Sequence, residues 1–161
     1  MDGEITLRAA IADDEAFQCA LYASTRADEL ALTDWADAQK EEFVRMQFGA
    51  QTCHYRTHYP EAVWNIILHD GTPAGRLIVV RWEREIRIVD ISLMPAFRGR
   101  GAGTRILLDL CGQARAERRL VSIHVEKFNP ALRLYERLGF RIVEDKGVYL
   151  LLHWQDGDPV M

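Results

Sequence analysis

The sequence predicts one mixed α/β domain. Helical hydrophobic spacing dominates before residue 62, and three β-type runs then follow with no helix-length segment between them. Beyond residue 95 helix and strand patterns alternate before a terminal hairpin. With 161 residues, 48% hydrophobic and 27% charged, the chain has the size and composition of a single globular core. Eleven Gly and five Pro are too few for a disordered or fibrous chain.

The elements follow in order. Ile5 to Ile11 is a short β-prone run and the first strand. Asp13 and Asp14 are N-cap candidates for a helix whose inward positions include Phe17, Ala20, Leu21 and Ser24. Thr33 and Asp34 open a second helix, with Phe43, Met46, Ala50 and Cys53 at helical spacing, and it stops before Pro60. Ala62 to His69 reads as a strand and Asp70-Gly71 as a hairpin turn. Ala74 to Trp82 and Ile86 to Met94 are the next two strands, and such short connections make the three antiparallel neighbours. Ile106, Leu107, Leu110, Cys111 and Ala114 form the apolar stripe of a further helix. Leu120 to Val125 is a strand. Pro130 opens a helix carrying Ala131, Leu134, Tyr135 and Leu138 on one face, stopped by Gly139. Arg141 to Glu144 and Val148 to Trp154 form a terminal hairpin, and 155–161 a flexible tail, so 1–161 is one domain.

Composition excludes several classes. Twenty Lys and Arg against 24 Asp and Glu give a formal charge of −4, without the basic surplus of a nucleic-acid binder. The apolar stretches are strand-sized, so no membrane span is expected. Met-Asp-Gly-Glu at the start lacks a secretory signal pattern, and a cytoplasmic location is expected. Cys19, Cys53 and Cys111 are odd in number and widely spaced. They make neither a disulfide framework nor a zinc pattern, and read as reduced, buried thiols. His54 and His58 are four apart without the glutamate of a zinc helix, so no metal is expected.

The chemistry begins at Arg98-Gly99-Arg100-Gly101-Ala102-Gly103-Thr104, between a strand and a helix. Glycines let a backbone approach a ligand closely, and the first N–H groups of a helix lack internal acceptors. With two arginines beside them, they form a phosphate cradle. A mononucleotide-binding loop would end in Gly-Lys-Ser/Thr, and no lysine is present. A dinucleotide turn needs G-x-G-x-x-G, whereas the spacing here is G-x-G-x-G and only 58 residues follow Gly103. A generic anion-binding or purely structural turn remains an alternative.

At this turn the chain resembles the GNAT-type N-acetyltransferase family, whose acetyl-coenzyme A motif is [Arg/Gln]-x-x-Gly-x-[Gly/Ala]. Arg98, Gly101 and Gly103 fill that pattern, after a family-like Leu93-Met94-Pro95. A second stretch, Asn129-Pro130-Ala131 followed by Tyr135 and Gly139-Phe140, is similar to the family's next motif and lies at the expected distance. The resemblance implies a central, mostly antiparallel sheet with one parallel, splayed strand pair, flanked by about four helices. It implies acetyl-CoA as co-substrate and direct attack by a primary amine, from a small molecule or a peptide. It assigns the backbone near Leu93 and Met94 to the pantetheine arm and the turn Arg98, Gly99, Arg100, Gly101, Ala102, Gly103 and Thr104 to the pyrophosphate. Asn129 would bond the cofactor arm, and Tyr135 would act as general acid beside the sulfur.

The base is read from the residues alone. Asp90 interrupts an apolar strand, where burial raises a carboxyl pKa. Glu126 and His124 share a face of the following strand and are alternatives. Asp28, Glu29, Asp34, Asp37, Glu41 and Glu42 make an acidic run that either is a solvated helix face or steers a cationic amine to the site. Tyr22, Trp35 and Tyr55 are candidates for an amine-binding cluster. Cys111 lies on a buried stripe, which argues against a cysteine nucleophile. A non-catalytic, coenzyme A-binding regulatory module is the alternative function, and use of a longer acyl donor is a third reading. The exposed edge of the terminal hairpin offers a surface for a homodimer.

Overall fold

A computed structural model of the chain describes residues 3–157. Its elements are β1 (Ile5–Ala9), α1 (Glu15–Ala31), α2 (Asp37–His58), β2 (Val63–His69), β3 (Thr72–Arg81), β4 (Glu85–Leu93), α3 (Ala102–Glu117), β5 (Leu120–Glu126), α4 (Leu132–Arg137), β6 (Arg141–Asp145) and β7 (Tyr149–Trp154). The strands form one sheet in the order β1-β2-β3-β4-β5-β7-β6. Only β4 and β5 run parallel, with α3 as their crossover. Part of the expected tail, 158–161, lies outside the described residues. Among the described residues no helix is long and apolar enough to cross a membrane.

Among the departures from regular pairing, two shape the opening of the sheet. β4 and β5 pair only from Glu85 opposite Leu120 to Ile88 opposite Ile123. Beyond that point β4 continues against β3 alone and β5 against β7 alone, so the sheet opens. At the opening, Ile78 of β3 faces Asp90 while Val79 faces Ile88, leaving Val89 as an extra residue. Because side chains alternate across a strand, this bulge turns Asp90 to the face opposite Ile88.

The two faces have different cores. On one, α3 lays Ile106, Leu107, Leu110 and Cys111 over Leu77, Val79, Ile86, Ile88 and Val121, joined by Tyr135 and Phe140. On the other, α1 and α2 cover the sheet, and their own apolar contact is Tyr22, Leu30, Val44 and Phe48. Here the sequence expectation for the helices holds only in part: Leu21 is buried and Phe43 packs on this cluster, but other positions turn outward. Ala20, Met46, Ala50 and Cys53 are exposed, and Cys19 is half-buried, so of the three thiols only Cys111 is buried. The inward positions of α1 and α2 carry Gln18 and Gln51 instead, because a buried arginine on β3 needs polar partners.

Helix starts also shift. Thr33 closes α1 by donating to the Leu30 carbonyl at 2.7 Å, and α2 begins at Asp37, where the Gln39 side chain accepts the Ala36 N–H at 2.9 Å. Asp14 precedes α1 but does not cap it. Its carboxylate takes two bonds from Arg8 and one from the Ile11 N–H, which hold it near a pKa of about 2.

At Gly75 the backbone of β4 lies against β3 with no room for a side chain. A Cβ there would run into the Ser92 carbonyl, a backbone atom with no freedom to yield. Gly75→Ala is expected to cost about 1–3 kcal/mol in urea unfolding through this overpacking. A midpoint equal to the parent's would show that β4 can move aside.

Candidate active site

The glycine-rich turn follows the end of β4, past the point where β4 and β5 cease to pair. Gly99 and Gly101 have φ of 74° and 84°, a left-handed conformation that other residues adopt only with strain. They bend the chain so that the N–H groups from Gly101 to Thr104 have no partner among the described residues; the first helical bond is Arg105 N–H to the Gly101 carbonyl, 3.0 Å. A Cβ on Gly99 or Gly103 would meet nothing within 4 Å, so open space lies over the cradle. The positive end of the α3 dipole points into that space. Ala102 is buried, seating the helix, while Thr104 is half-buried. The arginines differ. Arg98 donates from Nε to the Leu93 carbonyl at 2.9 Å and from Nη2 to Ser24 Oγ at 3.4 Å, bracing the end of β4. Arg100 lies over the Phe97 ring. Met94 donates its N–H to the Ala74 carbonyl at 2.7 Å.

The floor of the opening is a cleft of about 320 Å³, lined by Asp90, His124, Glu126, Asn129 and Tyr135 among others. Tyr135 is 6% exposed, its ring edge-on to Phe140 with centroids 5.6 Å apart. No group among the described residues bonds its hydroxyl, which faces the cleft. Burial, and then the charge of Asp90, push its pKa up to about 12, so it stays protonated. α4 is shorter than expected, and the Phe140 N–H bonds the Tyr135 carbonyl past Gly139. Asn129 Oδ1 accepts the Ala131 N–H at 2.8 Å, which opens α4 and leaves its amide NH₂ as a donor at the cleft.

Asp90 is held by Arg76, a residue that the sequence reading did not single out. Arg76 is 2% exposed and donates from Nε to Asp90 Oδ2 at 2.7 Å. Its other nitrogens donate to Gln18 Oε1 at 3.1 Å and Gln51 Oε1 at 2.6 Å. The rings of Phe48, Tyr55 and Trp64 surround the guanidinium. Burial pushes the Asp90 carboxyl up against the pull of Arg76. The same desolvation raises the Tyr55 hydroxyl. A basic residue in the apolar β3 run was the signal available in the sequence.

The acidic run does not rim the opening. Glu29 alone of it lines the cleft, paired with Arg26 at 3.2 Å, while Glu41 lines a separate groove between α1 and α2. Asp28, Asp37 and Glu42 are exposed helix-face residues, and Asp34 is exposed in the connection between α1 and α2. Tyr22 and Tyr55 reach the cleft together, but Trp35 stacks on Phe43 away from it, so the expected aromatic trio is divided. His54 and His58 stack on each other with centroids 4.1 Å apart. Among the described residues no group of three or more His, Cys, Asp and Glu could hold a metal.

The site is thus a sheet that opens between β4 and β5 beside a helix start headed by a glycine-rich turn. The profile of the Acetyltransferase (GNAT) family matches residues 25–140, and the chain belongs to that family. Among solved structures it is similar to PaiA N-acetyltransferase from Thermoplasma acidophilum in complex with coenzyme A, with TM-score 0.69 and 12% identity over 94% of this chain and 99% of that one. An acetyltransferase from Thermus thermophilus aligns with TM-score 0.67 and 18% identity over 96% and 99%. A GNAT family acetyltransferase from Elizabethkingia anophelis with acetyl-CoA bound aligns with TM-score 0.58 and 17% identity over 94% and 97%. At these identities the likeness is one of fold. No curated protein matches the chain by sequence.

Proposed function

We propose that the protein transfers an acetyl group from acetyl-CoA to a primary amine by direct attack within a ternary complex. The observation that carries this is the run of N–H groups from Gly101 to Thr104 with no partner among the described residues, at the glycine-rich start of α3 beyond the end of β4. Two similar structures hold coenzyme A or acetyl-CoA. In this chain the Gly101–Thr104 amides and Arg100 would take the pyrophosphate, and the Leu93 backbone and the Asn129 amide the pantetheine arm, since the Met94 N–H and carbonyl are already bonded to Ala74 and Phe97. When bound, acetyl-CoA supplies an acetyl group activated as a thioester.

The chain's own groups then handle the protons. Asp90, raised by burial, removes a proton from the amine. The nitrogen electron pair forms the new C–N bond as the C–S bond breaks, and Tyr135 gives its proton to the departing sulfur. The products are an amide and a free thiol. Cys111 does not serve as a relay: burial lifts its thiol to about 12, far from the thiolate that nucleophilic attack needs.

Thiol release from acetyl-CoA in the presence of an amine panel tests this reading. Binding in calorimetry without release for any amine would establish the non-catalytic module instead. Asp90 is tested by pH. If it is the base, kcat/KM rises with pH as its carboxyl ionises, and Asp90→Asn loses that acidic limb. A second reading rests on His124, which lines the same cleft and is kept neutral because burial, Arg87 and Lys146 lower its pKa. An acidic limb that survives in Asp90→Asn and vanishes in His124→Ala would transfer the role.

A further inference from the structure

Beyond Asp90, on the α1–α2 side of the sheet, the opening widens into a cavity of about 590 Å³. Its walls carry two permanent cations, Arg26 of α1 and Lys146 of the β6–β7 turn, with Tyr55, Tyr59, His124 and Tyr149 around them. Among the described residues no carboxylate lines it, whereas the adjoining cleft sets Asp90, Glu29 and Glu126 against Arg76 and the shared Arg26, leaving that end net negative. The charge therefore changes sign along the path outward from the reacting end.

Lys146 is held in place by its turn. The Gly147 N–H bonds Asp145 Oδ1 at 2.9 Å, and Lys127 Nζ pairs with the same carboxylate at 2.9 Å. The Lys146 N–H bonds the Tyr149 carbonyl at 2.8 Å, and the Lys127 N–H bonds the Val148 carbonyl at 3.1 Å. The Lys146 side chain makes no ion pair among the described residues. Arg26 is partly engaged: Nε donates to the Tyr22 hydroxyl at 3.1 Å, and Nη1 pairs with the exposed Glu29. The Lys146 charge is felt inside the cavity, since it helps to hold His124 below the ordinary imidazole range against Glu144 and Glu85.

Resting on the acetyl-transfer reading, we infer that the acceptor is a small amine that also carries an anionic group, a carboxylate or a phosphate, seated against Lys146 and Arg26 with its amine at Asp90. A diamine would set its second ammonium against Lys146, and like charges facing each other in a partly desolvated site are disfavoured. The rings of Tyr55, Tyr59 and Tyr149 provide an apolar wall between the two charged ends.

Matched amines test this by thiol release from acetyl-CoA: 4-aminobutanoate against butylamine, and O-phosphoethanolamine against ethanolamine, with 1,4-diaminobutane as the dication. The anionic member of at least one pair is expected to show kcat/KM at least about tenfold above its partner, a gap of about 1.4 kcal/mol, and the two pairs separate carboxylate from phosphate. Lys146→Ala should remove most of that preference, and Lys146→Glu should invert it. Indifference, a preference for the diamine, or an order that Lys146→Glu leaves unchanged overturns the acceptor class. Release with none of the amines counts against acetyl transfer itself.

Discussion

Tyr135→Phe should fold as the parent does and lose about 10²- to 10⁴-fold in turnover, the range that removal of a positioned general acid produces. The packing argument makes this a clean substitution. The ring, with its edge against Phe140, is retained, and the hydroxyl has no partner among the described residues that would be left unpaired. Thermal unfolding and acetyl-CoA affinity should therefore stay close to the parent values while kcat falls. Turnover within a few-fold of the parent would reduce Tyr135 to a core residue, which its place on the apolar face of α4 equally explains.

Arg76→Met is expected to give the largest loss of stability, about 3–5 kcal/mol, because it strands a half-buried carboxylate and two amide side chains at once. Asp90, Gln18 and Gln51 belong to β4, α1 and α2, so one guanidinium fastens both helices to the sheet beside the opening. Denaturant unfolding of the single and double variants distinguishes this from a simple packing defect. Arg76→Met combined with Asp90→Asn should lose less than the sum of the two, since the stranded charge is gone. Strict additivity, or a loss under about 1 kcal/mol for Arg76→Met, would mean that water reaches the site and substitutes for the guanidinium.

Sequence alone determined the order of elements, because each depends on local signals. In the β2–β3 turn Asp70 adopts φ of 50° and Gly71 of 81°, as a tight hairpin needs, and Gly139 stops α4 in a left-handed conformation. The stripe from Ile106 to Ala114 is buried as its spacing requires. The anion cradle was legible for the same reason: glycine spacing at a strand–helix junction is a property of the backbone, and Gly99 and Gly101 have the conformation that demands glycine.

The tertiary structure decided which faces meet. Hydrophobic spacing placed Met46, Ala50 and Cys53 inward on α2, yet the helix turns Val44, Phe48 and Gln51 toward the protein. The reason is a long-range polar contact. A buried arginine on β3 must be hydrogen-bonded, and its partners lie far away in the chain, where no local periodicity can announce them. The facing of Asp90 was hidden likewise, since it follows from one extra residue, Val89, in the pairing of β4 with β3. The acidic run from Asp28 to Glu42 reads either as a solvated face or as a steering rim for a cationic amine. Only the packed helices show most of it turned to solvent, Glu29 left at the cleft and Lys146 brought in from the far hairpin. Charge along a chain becomes charge around a cavity only after strands and helices have been assigned their sides.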